Sequence, residues 1–185
     1  GDICPDNTFE KPEQKEMLII DFEKARISNA LLDATYLRMH MPTCRCSSAL
    51  PNKIIKRAES LYRQEVAKHI PAALDDPTYF TAYVNACAFW MLQTIASIGW
   101  IIVTNKGKDV VCEVSTVKSR IISRLNTFIE VATQHNQLPA LVTFAKTIEQ
   151  KLQNIWPETK PLPLFAAYTN FLPHLNGGDL NFKPK

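Results

Sequence analysis

The chain has 185 residues, of which 46% are hydrophobic and 21% are charged, values typical of one soluble globular domain or one large lobe. Its formal net charge of +3 is too small to indicate a nucleic-acid-binding protein, whose basic residues would cluster on one face. Only five glycines are present, which favours a helical chain over one with many strands and tight turns. The sequence therefore predicts a mainly α (α+β) fold without a nucleic-acid partner.

The opening segment joins an acid, Asp2, to an amide, Asn7, five positions later. Both residue types are favoured in turns, so this spacing alone is a weak signal. The charged residues 8–16 predict a loop or a hairpin turn. The apolar run at residues 17–20 predicts a buried strand, and this strand delivers Asp21 at its carboxyl end.

The remainder of the chain predicts five or six helices that pack as a bundle-like lobe. These helices are expected from Ser28 or Asn29 through Met39, from Asn52 through Ile70, from Asp76-Pro77 towards Asn105, from Asp109 through Ala132, from Pro139 through Ile155, and from Leu164 to Leu172. We therefore divide the chain into a segment at residues 1–45 that carries the acids, a helical subdomain at residues 46–175, and a loose tail at residues 176–185.

Asp2, Asn7 and Asp21 are the residue types that a kinase catalytic centre needs. An aspartate orients and deprotonates the attacking hydroxyl, while an amide oxygen and a second carboxylate hold magnesium on the nucleotide phosphates. The alternative is a polar turn followed by a solvated strand end. The apolar strand before Asp21 favours the kinase interpretation.

These residues resemble the aminoglycoside phosphotransferase and choline kinase-like family of small-molecule kinases, which have a protein kinase-like fold. The catalytic loop of that family reads H-G-D-x-x-x-x-N, which Gly1, Asp2 and Asn7 match except for the leading histidine. Its metal segment reads I-D-[FW]-[EG], which residues 20–23 match as Ile-Asp-Phe-Glu. A further aspartate usually follows about a dozen positions later, and Asp33 fits that place.

The resemblance implies a role for each of these residues. Asp2 would be the catalytic base, and Asn7 and Asp21 would bind Mg²⁺ and, through it, the phosphates of ATP. Glu23 is a further candidate site residue, and Asp33 would support the catalytic loop structurally. The acceptor would be a small molecule with a hydroxyl group.

The chain also departs from the family pattern, since it has no amino-terminal nucleotide-binding lobe and no Gly-rich loop. Its single Gly-Gly pair, Gly177-Gly178, lies in the tail. We therefore expect this chain to be the carboxyl-terminal lobe of a longer phosphotransferase, inactive alone. The alternative is a pseudokinase or helical interaction module without catalytic turnover.

Five cysteines are an odd number in a chain too large to depend on disulfides, which favours a reduced, cytoplasmic setting. Cys44-x-Cys46 has the form of half a metal site, but Cys4, Cys87 and Cys112 offer no matching second half. Ordinary thiols are the favoured interpretation.

The uncharged stretch at residues 77–105 is long enough to span a bilayer. Polar residues interrupt it and its flanks lack a basic bias, so a helix buried all round in a soluble lobe is favoured over a membrane span. Five aromatic residues near this stretch are candidates for an acceptor pocket, although core packing is the favoured role: Tyr79, Tyr83, Phe89, Trp90 and Trp100.

Overall fold

The computed structural model describes residues 2–169, except for the side chain of Lys24. The predicted helix end at Leu172 and the predicted tail at residues 176–185 lie outside the described residues. The helices are α1 (Leu31–Ala34), α2 (Asn52–Ala67), α3 (Asp76–Ser97), α4 (Gly99–Thr104), α5 (Val117–Gln134), α6 (Pro139–Ile155) and α7 (Ala166–Thr169), and the strands are β1 (Thr8–Lys11), β2 (Glu16–Ile19), β3 (Val111–Cys112) and β4 (Ser115–Thr116). The prediction of a mainly helical chain with a small β element near its amino terminus is confirmed.

Strands β1 and β2 form an antiparallel hairpin in which Thr8 lies opposite Ile19. The predicted strand exists, but the prediction that it is buried is wrong. Met17 is 68% exposed, and Leu18, Ile19 and Ile20 are also exposed. The reason is that a two-stranded ribbon has two faces, and no helix in the described part packs extensively against either of them.

The first predicted helix is much shorter than the sequence suggested. It begins at Leu31 after an N-cap at Ala30 and not at the predicted Ser28 or Asn29, although Asn29 Oδ1 accepts a hydrogen bond from the Leu31 N–H at 2.9 Å in the preceding turn. Helix α1 then ends at Ala34, and His40 and Met41 have left-handed backbone angles, with φ of 57° and 50°. The Met41 N–H bonds back to the Tyr36 carbonyl at 2.8 Å, so the chain turns sharply instead of continuing as a helix through Met39.

Helices α2 and α6 begin where the sequence predicts, at Asn52 and Pro139. Helix α3 is capped by Asp75, which accepts a hydrogen bond from the Thr78 N–H at 2.9 Å, so the cap lies one residue before the predicted one. Asp75 therefore satisfies one of the N–H groups that lack a partner within the helix in the first turn.

The predicted helix start at Asp109 is wrong, because the short β3–β4 hairpin comes first. Helix α5 starts at Val117, where Thr116 and Ser119 form a capping box. Asp109 contributes from outside the helix, as its Oδ1 accepts from the Lys118 N–H at 3.0 Å.

The core lies between α3, α5 and α6, and residues 31–44 close one side of it. Its most buried side chains are at most 1% exposed: Tyr36, Met39, Met41, Val84, Cys87, Met91, Leu125, Phe128, Ala132 and Ala145. The core takes side chains from both the acidic segment and the helical subdomain, so the two segments share one hydrophobic interior.

The segment Asp76–Thr104 is the one part of residues 2–169 that is long and apolar enough to cross a membrane. A core helix of a soluble protein meets the same criteria, so the feature is weak evidence for a membrane. Val84, Cys87 and Met91 on α3 are buried in the core, whereas Phe89 and Leu92 are 39% and 44% exposed. The prediction of a helix buried all round is therefore wrong, and the arrangement is compatible with a soluble protein.

Candidate functional site

Asp2 is fixed by two hydroxyl groups that come from a distant part of the chain. Its Oδ1 accepts hydrogen bonds from the Tyr36 hydroxyl at 3.2 Å and from the Thr43 hydroxyl. The two hydroxyl oxygens lie 2.7 Å apart, so their two hydrogens are shared among three close oxygen atoms. Tyr36 is fully buried, and burial raises the pKa of its phenol, so it stays a neutral donor to the carboxylate.

Asn7 closes the segment that begins at Asp2. Its side-chain Nδ2 donates to the Asp2 backbone carbonyl at 3.0 Å, and its backbone N–H donates to the Cys4 carbonyl at 2.8 Å. We call residues 2–7 the Asp2 loop. Because the amide nitrogen is used inside the loop, the amide oxygen is the part of the Asn7 side chain that can meet a cation.

The hairpin pairs Asn7 with Ile20, the residue directly before Asp21. The Ile20 N–H donates to the Asn7 carbonyl at 2.9 Å, which continues the β1–β2 ladder by one pair beyond Thr8 and Ile19. Asp21 follows directly, is exposed, and has a left-handed backbone with φ of 62°. This conformation is uncommon for residues other than glycine, and it breaks the strand at the point where the carboxylate emerges.

A cleft of about 600 Å³ extends to Thr43, but Asp2, Asn7 and Asp21 do not line it. Glu23, Asp33 and Thr43 line it, and Thr43 is the residue that also donates to Asp2. Asp33 is half-buried in α1. The pKa of Tyr62 is raised mainly by the burial of its phenol and also by the negative charge of Asp33. The structure thus places Glu23 and Asp33 on a cleft that is connected to Asp2 through the Thr43 side chain. The supporting role of Asp33 stays a prediction.

Two arginines of α5 hold the loop that carries Thr43, and we call residues 39–47 the arginine-held loop. Arg124 is 1% exposed and donates to the carbonyls of Met39 at 2.9 Å, His40 at 3.1 Å and Met41 at 3.4 Å. It also donates to the hydroxyls of Ser47 at 3.0 Å and Thr94 at 3.1 Å. Burial lowers the Arg124 pKa to about 9, and the charge of Arg120 adds to this effect.

Arg120 lies one turn before Arg124 and acts on the other end of the same loop. It donates to the carbonyl of Cys44 at 3.1 Å and to that of Arg45. Sequence reasoning missed both arginines, although a signal was present. Arg124 lies between Ile121 and Phe128 on the apolar stripe of α5, where an arginine needs internal acceptors.

His40 lies within the arginine-held loop, near the positive charges of Arg124 and Arg38. Its Nε2 lies 3.1 Å from the Thr127 hydroxyl, while its Nδ1 is buried with no hydrogen-bond partner in the described part of the chain. Burial lowers the His40 pKa to about 4, and the charges of Arg124 and Arg38 act in the same direction. His40 is therefore neutral in the folded protein at neutral pH.

We expect the free energy of unfolding to fall as the pH decreases from 6.5 to 4. In this window the unfolded chain protonates His40 and the folded chain does not, so stability rises with pH, by an amount on the order of 3 kcal/mol. The measurement is urea denaturation of the wild type and of His40→Asn between pH 4 and pH 7. Asparagine tolerates the left-handed backbone and carries no charge, so the variant should show a shallower slope. Equal slopes would contradict the assignment.

Cys4, Cys44 and Cys46 form a cluster that sequence spacing did not reveal. Cys4 and Cys44 are joined as a disulfide with their Cα atoms 5.4 Å apart, and Cys46 Sγ lies 2.8 Å from Cys44 Sγ. The interpretation as ordinary thiols is therefore wrong for Cys4 and Cys44, whereas Cys46 is a free thiol. The contact is tertiary, since it joins the Asp2 loop to the arginine-held loop across 40 residues of sequence.

The aromatic residues near α3 divide between two places. Trp90 lines the cleft and donates from Nε1 to the Leu32 carbonyl at 3.0 Å. Tyr79 and Tyr83 line a different cleft, of about 350 Å³, beside the Arg38–Glu59 ion pair. Trp100 is 65% exposed and lies in neither of these clefts, so the five aromatics do not form one acceptor pocket.

Comparisons with known proteins give no further assignment. No protein-family model matches the chain, and the comparison with curated proteins gave no significant match.

Proposed function

We propose that this chain is the catalytic and acceptor-binding lobe of a phosphotransferase that moves the terminal phosphate of ATP to a hydroxyl of a small molecule. The observation that carries the proposal is the backbone arrangement of Asp2, Asn7 and Asp21. Asn7 bonds to the Asp2 carbonyl through its side chain and to the Ile20 N–H through its backbone carbonyl. Asp21 follows Ile20 directly, which supports a shared site at this end of the hairpin.

The donor groups at Asn7 and Asp21 suit Mg²⁺, which prefers carboxylate and amide oxygens and retains several waters. The Asn7 amide is oriented by its bond to the Asp2 carbonyl, and Asp21 emerges at the strand end with an exposed side chain. Bound Mg²⁺ would neutralise charge on the phosphates of ATP. Asn7 and Asp21 would supply the protein ligands, with Glu23 as a further candidate beside them.

Asp2 would orient the acceptor hydroxyl and accept its proton. The hydrogen bonds from Tyr36 and Thr43 hold the carboxylate in one orientation before substrate arrives, which lowers the reorganisation needed in the transition state. The acceptor would lie in the cleft beside Thr43, where Glu23 and Asp33 provide hydrogen-bond acceptors and Trp90 provides an apolar wall. These groups favour an acceptor with several hydroxyl or amino groups.

The nucleotide-binding lobe of this enzyme would pack on the β1–β2 hairpin. Several large apolar side chains on this hairpin and just after it are at least 39% exposed: Phe9, Met17, Leu18, Ile19, Ile20 and Phe22. Exposed large apolar side chains grouped on one small element are typical of a protein interface. It lies beside Asp21, where a lobe that holds the nucleotide phosphates is required. A cytoplasmic location follows from the proposal as a prediction, since the reaction consumes ATP.

The test is to express the full-length protein with both lobes and to screen hydroxyl-bearing acceptors for Mg²⁺-dependent ATP consumption. For an acceptor that is phosphorylated, Asp21→Asn should raise the Mg²⁺ concentration at half-maximal rate by about tenfold or more, because a charged ligand becomes neutral. Glu16→Gln is the matched control. It removes an exposed carboxylate from the same hairpin and should leave the Mg²⁺ dependence unchanged.

Two outcomes would change the proposal in different ways. Turnover by residues 1–185 alone would contradict the requirement for a second lobe, while a Mg²⁺ effect of Asp21→Asn would still support the site. Absence of ATP consumption with every acceptor, in a folded full-length protein that binds nucleotide, would favour the pseudokinase alternative.

A further inference from the structure

We propose that Cys4, Asp6, Cys44 and Cys46 form a Zn²⁺ site that fastens the Asp2 loop to the arginine-held loop. One donor atom from each of these residues lies within 4.8 Å of each of the others. Three of the donors are sulfur atoms, and zinc sites in proteins are usually built from four cysteine, histidine or carboxylate ligands. The site stands on this geometry alone and does not depend on the phosphotransferase proposal.

The cluster contains more donors than a disulfide needs. The Cys4–Cys44 bond uses two sulfur atoms, yet Cys46 Sγ lies 2.8 Å from Cys44 Sγ, and Asp6 Oδ2 lies 3.7 Å from Cys4 Sγ. A third sulfur atom and a carboxylate at these distances have no role in a disulfide. Together with the other two sulfur atoms they make the four-donor set of a closed, tetrahedral zinc site.

The chemistry requires the reduced protein. A thiol reductant supplies two electrons, and with two protons the Cys4–Cys44 bond is cleaved to two thiols while the reductant becomes a disulfide. Zinc binding then releases the protons of Cys4, Cys44 and Cys46 to solvent, leaving three thiolates and the Asp6 carboxylate as ligands. Soft thiolate ligands select zinc over magnesium, so this site is chemically distinct from the oxygen donors at Asn7 and Asp21.

The surroundings can hold such a site in place. Cys4 and Cys44 are only 5% and 3% exposed, so bulk water has little access to two of the ligands. Arg120 donates to the carbonyls of Cys44 and Arg45, which fixes the Cys44-x-Cys46 backbone and places a cation beside the thiolate charge. Because Cys4 lies within the Asp2 loop, the metal would set the position of that loop relative to Thr43.

The test is metal binding by protein purified with a thiol reductant and then moved to a reductant that does not bind metals. We expect close to one Zn²⁺ per chain by elemental analysis. Titration with Co²⁺ should give the intense visible absorption of a tetrahedral site and a sulfur-to-cobalt band in the near ultraviolet. Cys46→Ser should weaken binding by about 100-fold, and Asp6→Asn by about tenfold. Cys112→Ser is the matched control, because Cys112 is a half-buried free thiol outside the cluster.

A folded, reduced protein with all of its thiols titratable that binds neither Co²⁺ nor Zn²⁺ would overturn the proposal, and the cluster would then be a disulfide with a neighbouring thiol. Unchanged affinity in both Cys46→Ser and Asp6→Asn would overturn it as well. Circular dichroism of each variant separates loss of metal from loss of fold. If Cys46→Ser does not fold, Asp6→Asn decides, because Asp6 is exposed.

Discussion

Replacement of Asp2 by asparagine is expected to lower kcat by about 10²- to 10⁴-fold in the full-length protein, with little change in stability. Asparagine cannot accept the proton of the acceptor hydroxyl. It does retain an Oδ1 that can accept the hydrogen bonds of Tyr36 and Thr43, so the network around the loop should persist. The measurement is steady-state kinetics with an identified acceptor, together with thermal unfolding of the wild type and the variant.

Thr43→Val provides the comparison for Asp2→Asn, because it removes one donor to Asp2 and leaves the carboxylate in place. We expect it to lower kcat by about tenfold, since positioning is weakened but the base is retained. If Asp2→Asn keeps most of the wild-type rate while Mg²⁺ dependence is normal, Asp2 is not the base.

Replacement of Arg124 by methionine is expected to lower the free energy of unfolding by about 3–5 kcal/mol. Methionine fills much of the same volume but donates no hydrogen bond. The carbonyls of Met39 and His40 and the hydroxyl of Thr94 would then be left without this donor in a buried place. Urea denaturation followed by tryptophan fluorescence gives the value, since Trp90 is in the core.

Two further variants make this prediction specific. Arg124→Lys keeps the charge but has one nitrogen in place of three, so its loss of stability should be smaller than that of Arg124→Met and still measurable. Arg57→Met, on the exposed face of α2, should change stability by about 0.5 kcal/mol or less. A similar small effect of Arg124→Met would show that the buried hydrogen bonds contribute little.

Local signals predicted the long helices well. Pro139 is at the first position of α6, and α3 begins at Asp76-Pro77 with its cap one residue earlier than predicted, at Asp75. These residues act through their own backbone and that of their neighbours. The β3–β4 hairpin was missed because its strands have two residues each, which is too short to show the alternation of apolar and polar residues that indicates a strand. Helix α1 was predicted too long because its apolar spacing continues through Met39, although the backbone turns at His40.

The candidate site was predictable in part. The residues Asp2, Asn7 and Asp21 lie close together in sequence, and the structure joins their segments through a hairpin, a local element. The partners of Asp2 come from Tyr36 and Thr43, which are separated from it by 34 and 41 residues. Such contacts depend on how the whole core packs, and no spacing rule in a single sequence specifies them.

Helix α5 secures the arginine-held loop mainly through main-chain carbonyls, which every residue type possesses. The side chain at residue 42 can therefore change without removing the bonds that shape the loop, whereas Arg120 and Arg124 cannot. Pro42 and Thr43 both line the cleft. The residue at position 42 can therefore vary while the backbone of the loop keeps its shape. A mutant library designed to alter acceptor preference should randomise position 42 and keep both arginines.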